Sequence, residues 1–416
     1  MVQSVARPSA PNTPYAMFGA EARKHAHAHY AAMRREMPVC PILGPMSGNM
    51  FWFVTRYDDC VYALKQPHII KDHLRLPEIW SQRYGGKPEG IWAAINRHLL
   101  NLDPPDHTRL RALVHKAFTP ALIENLRART QGIADALIDK VIRHNAGRFD
   151  LIEDYGFPLP ITVIAELIGV PANDQDEFRR WTKTLLFGRD EAAGQLAAFE
   201  FVNYVNGLIE ARQAHPQPDL LTGLLSAEEA GDALDREELL SMIFLLLVAG
   251  HETTVNLIGN GMLALFEHPH QRARLQADFT LIKPAIEEML RYNGPVETAT
   301  IRFALEDVEI RGVTIPQGEM VLVALHAANR DPDVFPDPER FDITRDPNRH
   351  IAFGNGIHFC LGAPLARMEG AIAIETLLRR LPDLQAAPGA IEHVEWNDSI
   401  LLHGMKALDV VFQTAR

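Results

Sequence analysis

The most informative ten residues of the chain read Phe353-Gly354-Asn355-Gly356-Ile357-His358-Phe359-Cys360-Leu361-Gly362, a glycine-rich loop that carries one cysteine. A helical pattern from Pro364 to Arg379 follows at once, so the sulfur of Cys360 is predicted to lie near a helix N-terminus. The helix dipole and the free N–H groups there favour a thiolate over a thiol, and only the thiolate is a good metal ligand. Gly356 and Gly362 would let the backbone approach a flat cofactor closely.

Two other interpretations of Cys360 follow from its residue type alone. A single cysteine is most often a buried structural residue. Cys360 and His358 could also form a nucleophile pair, although they are only two residues apart and no second motif of an acyl-transfer site is present. The complete spacing of the ten residues favours metal ligation over both interpretations.

The ten residues resemble the haem-binding signature of the cytochrome P450 family, Phe-x-x-Gly-x-(Arg or His)-x-Cys-x-Gly, and match each of its fixed positions. This resemblance implies that haem b is the cofactor and that Cys360 is the axial ligand of its iron. Phe353, His358 and Gly362 would contact the cofactor beside it. A thiolate ligand favours cleavage of the O–O bond of dioxygen, which is the step that a hydroxylating enzyme needs.

The same resemblance implies the triangular-prism fold of that family, which is mainly α with a smaller β-rich part. Residues 15–416 would form one domain behind a flexible N-terminal lead-in of residues 1–14. The residue pattern agrees, because apolar positions recur at helical spacing from His107 to about Arg143, with a break at Thr119-Pro120. Short strands, such as Met320 to Leu325, are predicted in the later part of the chain.

A long apolar helix is predicted in the middle of the chain. Asp235, with Glu238 three residues later, has the pattern of a capping box at its start. The run from Leu239 to Val248 is apolar nearly all round, and it meets Gly250-His251-Glu252 after about ten residues, whereas a membrane span needs ~20. We therefore expect a buried central helix and not a membrane span.

The same helix contains Ala249-Gly250-His251-Glu252-Thr253-Thr254, where an acid and a hydroxyl lie among apolar residues and an unpaired carboxylate would be costly. The residues alone leave two interpretations open, a satisfied structural polar cluster and a route that passes protons through ordered water to dioxygen. The segment resembles the family's motif (Ala or Gly)-Gly-x-(Asp or Glu)-Thr-Thr. By that resemblance Glu252 and Thr253 are the catalytic acid and alcohol of proton delivery, and Ala249 contacts the cofactor.

A structural ion-pair network is predicted from two separate segments. Glu288 and Arg291 stand three residues apart on a helical pattern from Pro284 to Tyr292, a spacing whose ion pair alone is worth only ~0.2–0.5 kcal/mol. The second segment reads Pro338-Glu339-Arg340-Phe341. Together they resemble the buried Glu-Arg-Arg network of the family, so Glu288, Arg291 and Arg340 are predicted to be structural and not catalytic.

Haem carries two propionates, and a buried haem therefore needs cationic donors. The segment from Asp103 to Arg111 resembles the helix that supplies them in the family. The resemblance assigns His107 and Arg111 of that segment to cofactor binding, together with Arg302 and His358. Solvated surface charge is the alternative interpretation for each of these side chains.

Composition limits the partners and the compartment. A formal net charge of -12 argues against wholesale nucleic-acid binding, since a phosphate backbone needs a clustered cationic surface. Only three cysteines occur, Cys40, Cys60 and Cys360, which do not form a disulfide framework and fit a reducing cytoplasm. The N-terminal residues lack the apolar run of a signal peptide or membrane anchor. We therefore expect a cytoplasmic protein with no membrane anchor.

The implied reaction inserts one atom of O2 into an apolar small molecule of terpenoid, fatty acid or polyketide-like character. Because no dinucleotide motif or appended redox segment fits in the chain, electrons would come from a separate ferredoxin and an NAD(P)H-dependent ferredoxin reductase. Arg109, Lys116 and Arg367 could form a basic patch that docks the acidic electron carrier, and solvated surface charge is the alternative interpretation. The alternatives are a peroxide-driven peroxygenase or isomerase, and a non-enzymatic haem protein that binds a gas.

Substrate contacts are predicted mainly in loops, which commonly carry them. We expect them in residues 74–100 and 180–190. Five further side chains complete the predicted lining: Leu245, Val248, Val296, Thr298 and Ile400. Such a lining suits an apolar substrate.

Overall fold

The structure is a computed structural model, and it describes residues 15, 17, 25–44, 50–84, 90–144, 147–187, 190–229 and 231–413. The lead-in predicted for residues 1–14 lies outside this part of the chain. The described residues are mainly helical, with a smaller amount of sheet, as predicted.

Helices follow one another through most of the chain. They are α1 (Ala26–Glu36), α2 (Tyr57–Lys65), α3 (Pro77–Tyr84), α4 (Ile91–Ala94), α5 (Asp106–Ala117), α6 (Pro120–His144), α7 (Pro158–Ile168), α8 (Gln175–Phe187), α9 (Glu191–Ala214), α10 (Leu220–Leu225), α11 (Arg236–Glu267), α12 (Pro269–Ala277), α13 (Ile282–Asn293), α14 (Leu325–Ala328) and α15 (Ala363–Arg380). Shorter helical turns lie at His73–Arg75, Ile152–Gly156, Ala172–Asp174, Phe279–Leu281 and Gly356–His358.

The strands are short. They are β1 (Val39–Leu43), β2 (Met50–Val54), β3 (Ile69–Ile70), β4 (Arg148–Asp150), β5 (Glu228–Glu229), β6 (Asp232–Ala233), β7 (Arg302–Ala304), β8 (Val308–Ile310), β9 (Val313–Ile315), β10 (Met320–Val323), β11 (Gln385–Ala386) and β12 (Asp409–Val411). Five of them form one sheet in the order β1-β2-β10-β7-β3, in which the β2–β10 pair is parallel and the other pairs are antiparallel. Antiparallel pairing also joins β11, β12 and β4, and it forms the pairs β5–β6 and β8–β9.

Two element boundaries of the structure lie at or near their predicted positions. The predicted break at Thr119-Pro120 is confirmed, since α5 ends at Ala117 and α6 begins at Pro120. Proline is well tolerated in the first turn of a helix, where its missing N–H has no intrahelical partner. The strand predicted from Met320 to Leu325 is β10, which ends two residues earlier because the chain turns into the buried helix α14.

The predicted central helix is α11, and the largest apolar core surrounds it. Its start has the predicted capping box: Asp235 accepts from the N–H of Glu238 at 2.8 Å, and the Glu238 carboxylate accepts from the N–H of Asp235 at 3.1 Å. Such a cap is worth about 1 kcal/mol. By length and composition α11 could cross a membrane, but 61% of its apolar window is buried inside the protein, where it packs against α7, α13 and α15. The expectation of a buried core helix is confirmed.

Close packing of α11 against α15 depends on a small residue at Gly370. A Cβ atom there would lie 2.8 Å from Cδ2 of Leu257, closer than real side-chain contacts come. Protein interiors are packed too densely to absorb such an overlap without movement. Because α15 begins just after Cys360, this contact sets the spacing between the cysteine loop and the central helix.

Candidate active site

Backbone hydrogen bonds hold the cysteine loop, residues 353–362. The N–H of Cys360 donates to the carbonyl of Phe353 at 3.0 Å, so two distant positions of the loop lie side by side. Within the loop, the N–H of Phe359 donates to the carbonyl of Gly356 at 3.1 Å. Helix α15 begins at Ala363, which confirms that Cys360 lies near a helix N-terminus.

Gly356 lets the cysteine loop pass close to α2. Its φ is +75°, a left-handed conformation that favours glycine. A Cβ atom there would lie 2.9 Å from the carbonyl oxygen of Leu64, near the end of α2. Both the backbone conformation and the available space therefore require glycine at this position.

The surroundings of the Cys360 sulfur act on its pKa in two directions. Burial among protein atoms raises the pKa, whereas the N–H groups of Gly362 and Ala363 and the guanidinium of Arg111 lower it. The side chain is accessible from the cavities that lie beside it. A bound metal cation would favour the thiolate further.

Arg111 ties the cysteine loop to α5. Its guanidinium donates to the carbonyls of Ile357 and Phe359 at 2.8 and 2.7 Å, and its Nε donates to His115 at 3.3 Å. The motif that contains Arg111 does not indicate this positioning role. The side chain also lines a cavity, so its predicted contact with the cofactor stays a prediction.

Two adjoining cavities lie between α11 and the cysteine loop. One has a volume of about 1030 Å³ and reaches Thr253, and we call it the Thr253 cavity. The other has a volume of about 840 Å³ and reaches Arg111, and we call it the Arg111 cavity. Both are lined by Cys360, and they share Leu100, Ala249, Gly250, His358, Gly362 and Leu365. The two cavities therefore meet in the space between Ala249 and Cys360.

Several buried polar atoms beside these cavities have no hydrogen-bond partner among the described residues. These atoms are Nδ1 and Nε2 of His107, Nε2 of His358 and Nε of Arg302. The rings of His107 and His358 lie 4.4 Å apart, centroid to centroid. Burial lowers the pKa of His107 to about 4 and that of His358 to about 2. These buried donors lie next to cavities that Cys360 also lines, and they suit the two carboxylates of a haem. The residues present therefore fit a haem group.

Thr253 and Ala249 of α11 face the cavities, whereas Glu252 does not. Thr253 lines the Thr253 cavity, and its hydroxyl donates to the carbonyl of Ala249 at 2.9 Å. Glu252 is 5% exposed and lines neither cavity. Consecutive residues of a helix are ~100° apart around its axis, so the predicted acid and alcohol point in different directions.

Glu252 keeps a proton to a higher pH than an ordinary glutamate. Burial raises the pKa of its carboxyl to about 7, and the neighbouring Asn256 side chain offsets part of that rise. A second acid, Glu369 of α15, is fully buried, and burial raises its pKa well above the ordinary value despite the neighbouring Thr254. Two buried carboxyl groups therefore lie near the pair Thr253-Thr254.

Glu288 and Arg291 form the predicted ion pair, but Arg340 does not complete the network. Arg291 donates to both carboxylate oxygens of Glu288, at 2.7 and 2.8 Å, and both side chains are fully buried. The third member is Arg345, whose Nε lies 3.2 Å from Oε1 of Glu288 and whose side chain is 10% exposed. The prediction for Arg340 is wrong because its side chain is 64% exposed and pairs with Asp342 at 3.3 Å. Only its backbone carbonyl faces the network, where it accepts from Arg291 and Arg345.

The five predicted substrate residues lie in different places. Leu245 lines the Arg111 cavity, and Val296 lines the Thr253 cavity. Thr298 and Ile400 line a third cavity of about 760 Å³, where the Thr298 hydroxyl donates to the carbonyl of Ile400 at 3.0 Å. Val248 is half-buried and lines none of these three cavities. Their contacts with substrate stay predictions.

The two segments predicted to be substrate-contact loops are largely helical, because α3 and α4 lie within residues 74–100 and α8 extends to Phe187. The loop prediction is wrong for these residues. Residues 85–89 and 188–189 lie outside the described residues. At the end of the first segment, Leu99 and Leu100 line the Arg111 cavity, so this end of the segment reaches the site.

Carboxylates neutralise most of the predicted basic patch of Arg109, Lys116 and Arg367. Arg109 pairs with Asp232 at 3.1 Å and also with Glu238 of α11. Arg367 donates twice to Glu287, at 2.7 and 2.8 Å. The two arginines are therefore paired within the protein, and docking of an electron carrier at this patch stays a prediction.

Comparison with known proteins agrees with this geometry. The cytochrome P450 family profile matches residues 148–382. Cytochrome P450 107B1 of Saccharopolyspora erythraea is 48% identical over 388 residues, which cover 92% of this chain and 94% of that protein. The cytochrome P450 monooxygenase PikC of Streptomyces venezuelae is 47% identical over 390 residues, which cover 93% of this chain and 91% of that protein. This chain belongs to the cytochrome P450 family.

The fold of this P450 is also that of solved members of the family. The crystal structure of the myxobacterial cytochrome P450 CYP267B1 in complex with myristic acid matches it with a TM-score of 0.88 and 49% identity, over 95% of this chain and 98% of that one. The predicted mainly α fold is confirmed. Membership of the family makes the protein a haem-thiolate monooxygenase, with haem b as the cofactor and Cys360 as its axial ligand.

The sequence did not point to Arg345, Glu369 or Lys71, whose charged side chains are buried or nearly so. Arg345 lies in the same segment as Arg340, and nothing in the spacing says which of the two is buried. Glu369 lies in the helix that follows Cys360, and an acid among its apolar positions is the one available signal. Lys71 has no motif around it. The surroundings of Lys71 depend on how segments that are distant in the sequence pack together.

Proposed function

We propose that this P450 oxidises an apolar small molecule with O2 and two electrons from a ferredoxin, which an NAD(P)H-dependent ferredoxin reductase reduces. One observation carries the proposal: the cavity at Cys360 has the Thr253 hydroxyl in its wall, and the preceding residue of the same helix is the buried acid Glu252. Reduction of O2 consumes protons, and an acid–alcohol pair beside the oxygen site can supply them. An enzyme driven only by peroxide has less need of such a pair.

The lining of the Thr253 cavity supports an apolar substrate. Its wall includes Leu100, Leu257, Val296 and Leu325. Removal of apolar surface from water contributes ~25 cal/mol per Å². Such a wall therefore suits the haem and, in the part of the cavity that the haem would leave free, a terpenoid, fatty acid or polyketide-like molecule over a polar one. The myristic acid in the structure of the myxobacterial relative supports an acyl chain as one candidate.

Four residues would hold the cofactor. Cys360 would bind the iron, and His107, His358 and Arg302 would donate to the propionates. Both ring nitrogens of His107, Nε2 of His358 and Nε of Arg302 otherwise have no partner in the described structure. The bound haem supplies the oxidising chemistry, which its thiolate ligand promotes. Phe353 and Gly362 line the Thr253 cavity beside Cys360, and we assign them to cofactor contact as well.

Glu252 and Thr253 would move protons in two steps. The Thr253 hydroxyl, at the cavity wall, would donate to oxygen in place of its bond to the carbonyl of Ala249. Glu252, with a pKa raised to about 7 by burial, would return a proton to that hydroxyl. Because Glu252 lines neither cavity, its side chain would have to rotate or use an ordered water molecule.

Reconstitution tests this proposal. The purified haem protein is combined with a bacterial ferredoxin, its reductase and NADPH, and with substrates chosen because they shift the haem absorption band. We expect a product that carries one oxygen-18 atom when the gas is labelled O2, and none in a matched reaction without ferredoxin. Turnover with hydrogen peroxide alone that equals the complete reaction would show a peroxygenase, and gas binding without product would contradict an enzyme.

A further inference from the structure

Lys71 carries a buried cation that the site described above does not use. The residue follows β3 and is 4% exposed. Its ammonium donates to the hydroxyl of Thr300 and to the carbonyl of Ile301, the latter at 2.8 Å. An ammonium has three N–H donors. The third therefore has no acceptor within the described part of the chain.

The described residues also provide no carboxylate that is hydrogen-bonded to this ammonium. The acid that acts on it through space is Asp103, whose carboxylate accepts instead from the backbone N–H groups of Lys71 and Asp72, at 2.8 to 3.1 Å. Burial and then repulsion from Arg302 lower the pKa of Lys71 well below its ordinary value, and Asp103 offsets only part of this. A buried cation without a paired anion is costly.

Lys71 lies in the wall of the third cavity, which has a volume of about 760 Å³. This cavity shares Leu100, Ala299 and Thr300 with the Thr253 cavity, so the two are neighbours. Most of the remaining wall is apolar. A ligand whose apolar part lies near Cys360 could therefore place an anionic group at Lys71.

We propose that Lys71 and Thr300 form a carboxylate-binding site. The third N–H of Lys71 would donate to one carboxylate oxygen, and the Thr300 hydroxyl, which already accepts from Lys71, would donate to the other. A charge-assisted pair of this kind is shorter and stronger than a neutral hydrogen bond. The substrate would then be an amphipathic acid, such as a long-chain fatty acid, an inference that rests on the proposed function. A haem propionate near Arg302 is the other source of a carboxylate.

The experiment measures ligand preference in the intact holoprotein. The probes are myristic acid and its methyl ester, and the shift of the haem absorption band gives the dissociation constant of each. The variants are Lys71→Met, Thr300→Val and the charge-retaining Lys71→Arg, with Lys140→Met on the exposed surface of α6 as the matched control. We expect wild type and the control to prefer the acid by about tenfold, equivalent to one charge-assisted hydrogen bond. Lys71→Met should lose this preference, Thr300→Val should weaken it, and Lys71→Arg should keep part of it.

Haem transfer to apomyoglobin, measured on the same variants, separates the two sources of carboxylate. Loss of the acid preference with unchanged haem transfer assigns the carboxylate to the substrate. Faster haem transfer from Lys71→Met, with the preference unchanged, assigns it to a propionate. If neither quantity differs from the control, the site does not exist. Neither readout needs turnover, so a failure of the proposed monooxygenase reaction is recognised separately in the reconstituted assay.

Discussion

The Nε atom of Arg345 lies 3.2 Å from Oε1 of Glu288, so a carboxylate that is fully buried on α13 faces two guanidinium groups. Asn348 donates to the other oxygen at 3.2 Å, and Arg291 donates to both. Arg345 also donates to the carbonyl of Pro336 at 2.8 Å. The network therefore fixes the irregular segment before the cysteine loop against α13.

Loss of Arg345 should destabilise the protein far more than loss of Arg340. Arg345→Gln leaves the buried Glu288 with one guanidinium, and we expect the free energy of unfolding to fall by about 3 kcal/mol, because a buried charge loses its partner. Arg340→Gln, at an exposed position, should lower it by less than about 1 kcal/mol. Denaturant unfolding followed by circular dichroism measures both. Equal effects of the two variants would contradict the assignment of Arg345 to the network.

Replacement of Cys360 should abolish the thiolate signature. The reduced wild-type protein with carbon monoxide should have its main absorption band shifted far to the red, since a thiolate is the axial ligand. Cys360→His should lose that shift. Cys40→Ala, at a buried cysteine far from the motif in sequence, should keep it. A red-shifted band in Cys360→His would show that another residue is the ligand.

Thr253→Ala should divert electrons from product to hydrogen peroxide. The variant removes the hydroxyl in the cavity wall, and we expect the ratio of product formed to NADPH consumed to fall by about tenfold or more, because a positioned acid–base group contributes ~10²–10⁴-fold to its step. The matched control is Thr130→Ala on α6, where the hydroxyl makes the same bond to the carbonyl four residues earlier, at 2.9 Å. Unchanged coupling in Thr253→Ala would remove this residue from proton delivery.

Glu252→Gln should change how stability depends on pH. Burial raises the pKa of Glu252 to about 7, whereas an unfolded glutamate has a pKa near ~4.5. Between these values the unfolded state gives up the proton and the folded state keeps it, so this residue lowers stability progressively from pH ~4.5 to ~7 and remains destabilising above. The variant should therefore be more stable than wild type at pH 8, by a few kcal/mol, and similar at pH 4.5.

Melting temperatures of the holoprotein across that pH range measure the difference. Glu237→Gln, an exposed acid in the first turn of the same helix, is the control. A constant difference between Glu252→Gln and wild type from pH 4.5 to 8 would mean that the pKa of Glu252 is ordinary.

Features that depend on neighbouring residues could be predicted from the sequence. The capping box of Asp235 and Glu238, the helix break at Thr119-Pro120 and the position of Cys360 before α15 each involve residues a few places apart, whose spacing sets their geometry. The cofactor and the activity could also be predicted from neighbouring residues, because residues 353–362 form a contiguous motif.

Contacts between distant segments were decided only by the tertiary structure. Arg345 and not Arg340 reaches Glu288, and Arg111 holds the cysteine loop from a helix some 250 residues earlier. The ammonium of Lys71 meets Thr300 across 229 positions. Such pairings depend on how helices and sheet pack together, and burial then determines which charges are paired and which are left for a ligand.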